Sequence, residues 1–95
     1  MILNIDNEMK LSLVSRKAEE GNKLKILMSQ GIKSSPIVIR IESITMIDYV
    51  PVINGVCIIP EKFDICSTVE LSAVINKEGV HIKTNTINVN MKGGN

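Results

Sequence analysis

Ninety-five residues, 10.5 kDa and 44% apolar side chains make one small domain, because a chain this short cannot build two cores. Eleven Lys and Arg against ten Asp and Glu leave a formal charge of +1, which excludes a global field that would draw nucleic acid or an anionic membrane surface. The apolar share holds sixteen Ile and nine Val but one Phe, one Tyr and no Trp, a composition that favours strands and leaves few platforms for stacking bases or sugars.

The chain opens Met1-Ile2-Leu3-Asn4-Ile5-Asp6, without the basic flank and long apolar core of a secretory signal. No apolar run reaches the roughly 18 residues of a transmembrane helix. The expectation is synthesis in the cytoplasm and no contact with a membrane.

Strands are predicted where apolar and polar residues alternate, since every second side chain then lies on one face of a sheet. Met9, Leu11 and Leu13 alternate with Lys10 and Ser12. Ser15 to Gly21 is polar and rich in helix formers but has no apolar stripe, so an exposed loop or a single turn is expected. Leu24, Ile26 and Met28 alternate with Lys23, Lys25 and Leu27. Then Ile37, Ile39 and Ile41 face one way and Val38, Arg40 and Glu42 the other, with Pro36 at the start, where its missing N–H is tolerated.

Between Thr45 and Pro60 the apolar pattern is broken by Pro51 and by Asn54-Gly55, a pair that accepts positive φ at both central positions of a tight hairpin. The reading is one strand over Thr45–Ile53, confined to an edge or bulge by Pro51, and a second over Val56–Ile59 that Pro60 ends. Val69, Leu71, Ala73 and Ile75 form the next alternation, followed by the loop-like Asn76-Lys77-Glu78-Gly79. Val80 and Ile82 keep even parity whereas Ile87, Val89 and Met91 keep odd, so the register must flip within Thr84-Asn85-Thr86 through a bulge or a bend between sheets. A single domain over 1–91 and a flexible tail at 92–95 complete the predicted organisation, an all-β antiparallel sandwich.

Chemistry is sparse in the sequence. Cys57 and Cys66 are read as free thiols, because disulfides persist mainly in oxidising compartments. His81 is the only histidine, too few with two Cys to make a zinc site, and is read as a solvent-facing strand residue next to Lys83 and not as a general base. Phosphate-binding glycine motifs are missing, and Asp6, Asp48, Asp64 and Glu19-Glu20 suit turns and loops. The expectation is no enzyme, no metal and no cofactor. Lys10, Lys23, Lys25, Lys33 and Arg40 crowd the first half, but Lys-rich strand faces ordinarily guard against aggregation, and nucleic acid is not an expected ligand.

Gly55-Val56-Cys57-Ile58-Ile59-Pro60, then Thr68 to Val74, then Ile82-Lys83-Thr84-Asn85-Thr86-Ile87-Asn88-Val89 together resemble the immunoglobulin-like modules of phage tail and baseplate proteins. That resemblance, over about 35 residues of the second half, implies an immunoglobulin-like β-sandwich of about seven strands. It also implies a virion-associated or assembly role exercised through contacts with other virion proteins or with itself, and residence in the host cytoplasm and then the virion. The candidate interaction residues are the apolar positions left over when each strand buries one face, Leu27, Val38 and Val74, together with Arg40 beside Val38. Two other readings have the same pattern: a small mobile-element inhibitor that binds a host enzyme or defence complex, and a barrel-type binder of single-stranded nucleic acid.

Overall fold

Alternating aliphatic residues put the chain into extended segments, and their buried faces decide how those segments stack. The structure is a computed structural model that describes residues 1–15 and 22–91. All but the first residue of the loop expected at 15–21, and the whole tail at 92–95, therefore lie outside the described residues. The strands are β1 Ile2–Ile5, β2 Leu11–Ser15, β3 Lys23–Met28, β4 Ile37–Glu42, β5 Ile47–Pro51, β6 Val56–Ile58, β7 Thr68–Lys77, β8 Val80–Lys83 and β9 Ile87–Asn90, with 3₁₀ turns at Gln30–Ile32 and Glu61–Ile65. None of the described helical turns is long and apolar enough to cross a membrane.

Two sheets result. The first has the order β2-β1-β3-β6; the second runs β5-β4-β7-β8, with β9 also paired to β7. Every pairing is antiparallel except β1 with β3, where Ile2 to Ile5 lie parallel to Lys25 to Met28. This corrects the wholly antiparallel expectation.

Among the described residues nine strands replace about seven, for two local reasons. Ile2–Ile5 is a strand in its own right, its Leu3 and Ile5 fully buried. The last predicted strand divides at its parity flip, β8 pairing with Val74–Lys77 and β9 with Thr68–Leu71 of the long β7.

Turn chemistry sets the other boundaries. The Asp6 carboxylate accepts the N–H groups of Glu8 and Lys10, both at 2.9 Å, and the Met9 N–H donates to the Asp6 C=O. Met9 itself has φ 62°, so β2 begins at Leu11 and not at Met9. Ser43 Oγ accepts the Met46 N–H at 3.1 Å, which delays β5 to Ile47. Asn54 (φ 54°) and Gly55 (φ 75°) both take the left-handed conformation expected of them, and Glu78 (φ 52°) and Gly79 (φ 81°) do the same between β7 and β8.

The core sits between the sheets. Leu3, Ile5, Leu24, Ile26 and Cys57 from one layer meet Ile37, Ile39, Ile41, Leu71, Ile75 and Val89 from the other. The 3₁₀ turns close its two ends, since one joins the end of β3 to the start of β4 and the other the end of β6 to the start of β7. Ile32 and Phe63, each no more than 1% exposed, are their plugs.

At the flip, Thr84 keeps β7 satisfied: its N–H donates to the Ala73 C=O and its hydroxyl accepts the Ala73 N–H, both at 2.9 Å. Asn85 then turns to the other sheet. Its side-chain oxygen accepts the Leu11 N–H at 2.7 Å, and its amide nitrogen donates to the Leu11 C=O at 3.0 Å. One side chain thus pairs with the edge strand β2 as a peptide unit would.

Candidate functional site

β4 buries Ile37, Ile39 and Ile41, which forces Val38, Arg40 and Glu42 onto the outer face of the second sheet. The register decides their neighbours. Val38 lies between Pro51 of β5 and Val74 of β7, and Val74 is followed by Lys83 of β8. The next row is Tyr49, Arg40 and Ser72; the third is Ile47, Glu42 and Glu70, continued by Asn88 of β9. Three of the four candidate residues, Val38, Arg40 and Val74, are therefore immediate neighbours. The fourth is not among them: Leu27, 41% exposed, stands on the outer face of the first sheet opposite Asn4.

Three members of this surface were not singled out from the sequence. Ile47 and Tyr49 are 44% and 55% exposed, and Pro51 continues their face. Their signal was present in the alternation of 47, 49 and 51, but the apolar Met46, Val50 and Val52 on the opposite parity hid which face would be inside.

The charges on this face are held in place. A nitrogen of the Arg40 guanidinium lies 3.0 Å from a Glu42 carboxylate oxygen. A hydrogen bond with Tyr49 and then the Glu42 carboxylate hold the Arg40 pKa above its ordinary value. Beneath them Ser72, 1% exposed, has a buried hydroxyl oxygen with no hydrogen-bond partner among the described residues.

The adjoining edge is closed by chemistry. On β5 the Tyr49 N–H donates to the Asp48 carboxylate at 2.8 Å, and Pro51 has no N–H to offer. Lys62 reaches the same carboxylate at 3.1 Å, and its hydrogen bond, with that of the Tyr49 N–H, holds the Asp48 carboxyl below the usual range. Two of the edge donors that would invite another strand are thereby removed from β5.

The remaining reactive groups are scattered. His81 is exposed on β8 opposite Asn76. Among the described residues no three His, Cys, Asp or Glu side chains gather as metal ligands would. Both cysteines are free: Cys66 is half-buried, while Cys57 lies in the core, where burial pushes its thiol up to about 11. A thiol in that state is a small apolar packing group and not a nucleophile.

What the arrangement offers is a flat patch of Val38, Val74, Pro51, Tyr49 and Ile47 crossed by an Arg40–Glu42 pair, which is the make-up of a protein-contact surface: an aromatic and an arginine amid aliphatics. No protein-family model matches the chain, and no curated protein or solved structure matches it.

Proposed function

We propose that this chain is a non-enzymatic assembly module that associates with copies of itself through the outer face of the β5-β4-β7-β8 sheet, as a component of a phage particle. The observation that carries the reading is the cross-strand pairing of Val38 with Val74, both half-buried, extended by the exposed Pro51 and Tyr49 on the outer face of the sheet. Aliphatic residues on both faces of β4 call for a second covering layer, and the protein's own core uses only the inner one. The likeness of residues 55–89 to phage tail and baseplate modules supplies the setting. The immunoglobulin-like description of the layers goes with this reading: the two-sheet stack around one aliphatic core supports it, and the parallel β1–β3 pairing speaks against it.

Light scattering during size-exclusion chromatography tests the proposal. The expected result is a mass that is a multiple of 10.5 kDa, and a return to the single-chain mass in Val38→Asp, whose carboxylate would be desolvated in the interface. Tail or capsid genes beside the coding gene would support the phage setting, and their absence would count against it.

A further inference from the structure

The first sheet has an opening of a different kind. β6 pairs with β3 only across Lys23–Lys25, and the ladder ends with a hydrogen bond from the Ile26 N–H to the Gly55 C=O at 2.8 Å. β3 runs on to Met28. Along it Lys25 and Ser29 donate their N–H groups to β1 and its flank, at Met1 and Ile5. Alternation then turns the N–H and C=O of Met28 to the opposite side, where no strand among the described residues pairs with them. A groove of about 450 Å³ opens there, lined by Lys25, Leu27, Met28, Lys33 and Gly55 among others.

A strand laid into this groove would continue the line of β6, and the pleat dictates its side chains. Those turned inward would meet Ile26 and Met28, whereas those turned outward would lie on the side of Leu27 and Lys25, with Lys33 lining the same groove. No acidic residue lines the groove. We propose that this edge takes up an extended segment of a partner protein in which aliphatic and acidic residues alternate, adding a strand to the first sheet. A second copy of this chain is the wrong occupant, because pairing the edge with itself about a twofold axis sets Lys25 and Lys33 against their own counterparts. The inference is independent of the self-association assigned to the other sheet.

The test is an NMR titration of the full chain with two acetylated, amidated pentapeptides, Val-Glu-Val-Glu-Val and Val-Lys-Val-Lys-Val. The glutamate peptide is expected to shift the Leu27, Met28 and Gly55 amides saturably and to slow exchange of the Met28 N–H at least about tenfold at saturation. The lysine peptide should leave them unmoved. Lys25→Glu with Lys33→Glu should weaken the glutamate peptide about three- to tenfold, the weight of two exposed ion pairs, with an unchanged melting temperature. The proposal is overturned if the glutamate peptide produces no shifts at millimolar concentration, or if both peptides act alike. It is equally overturned if the Met28 N–H becomes protected without peptide as protein concentration rises, which would identify a second copy as the occupant.

Discussion

Asn85 shows how much one side chain carries in a small two-sheet protein. It is a hydrogen-bonded link between β2 and the β8–β9 connection of the opposite sheet, through both the N–H and the C=O of the buried Leu11. Asn85→Ala leaves both groups without that partner, and the expected loss is about 1 to 3 kcal/mol. For a domain of this size a thermal melt should show a drop of at least about 4 °C, and a shift below 1 °C would remove Asn85 from its role. Cys57 makes a second prediction. Burial pushes its thiol up to about 11 from an ordinary value of 9.0, so the folded state holds its proton after the unfolded chain has released it. Its stabilising effect is complete below pH 9 and is lost as pH rises from 9 through 11, by about 2 to 3 kcal/mol in all. Urea titrations across that window should fall more steeply for the wild type than for Cys57→Ala, and parallel curves would contradict the burial. The Asn54-Gly55 turn was legible in the sequence because positive φ is a local property of those two residues. The role of Asn85 was not, since its partner lies 74 residues away and a side chain that imitates a peptide leaves no periodic trace.

At the scale of elements, alternation located β3, β4, β7 and β9 because each has one dry face. It missed β1, whose four residues are mostly apolar and which is held in a parallel pairing that no local turn announces. The parity flip in Thr84-Asn85-Thr86 was legible as a bulge or a bend between sheets and is a break between β8 and β9 on the same sheet, and its consequence is strict. Deleting Thr86 would turn Ile87 and Val89 to the outer face and bring Asn88 inward, because a one-residue slip exchanges the two faces of a strand. Circular dichroism and a melt should report loss of the cooperative transition, whereas a deletion variant as stable as the wild type would show that β9 does not depend on its register. On β5 the closing devices are Asp48 and Pro51. Replacing both, Asp48→Ser with Pro51→Thr, exposes a continuous row of N–H donors, and the expected outcome is aggregation in light scattering at concentrations where the wild type gives one defined species.

For the whole molecule, the near-neutral charge and the scarcity of aromatics take on a spatial meaning. Lys25 and Lys33 gather at the β3 edge, while Tyr49, the only tyrosine, stands on the outer face of the other sheet beside Arg40. Two surfaces of different chemistry therefore lie on opposite layers of one core, a mixed aliphatic and charged sheet face proposed to meet another copy and a basic strand edge proposed to take an acidic segment. All four candidate residues, Leu27, Val38, Arg40 and Val74, could be picked from the sequence because they break or share the polar face of an otherwise regular alternation. That Val38, Arg40 and Val74 lie side by side while Leu27 is on the other sheet is a matter of strand order and register, which single-strand patterns do not encode. The central claim, self-association through this face, is tested most directly by the mass of the full chain in solution, measured by light scattering over a range of concentrations for the wild type and for Val38→Asp. We predict a multimer of the 10.5 kDa chain that Val38→Asp reduces to single chains without loss of the folded spectrum. A wild type that remains a single chain at every concentration, or a variant that assembles as the wild type does, would contradict it.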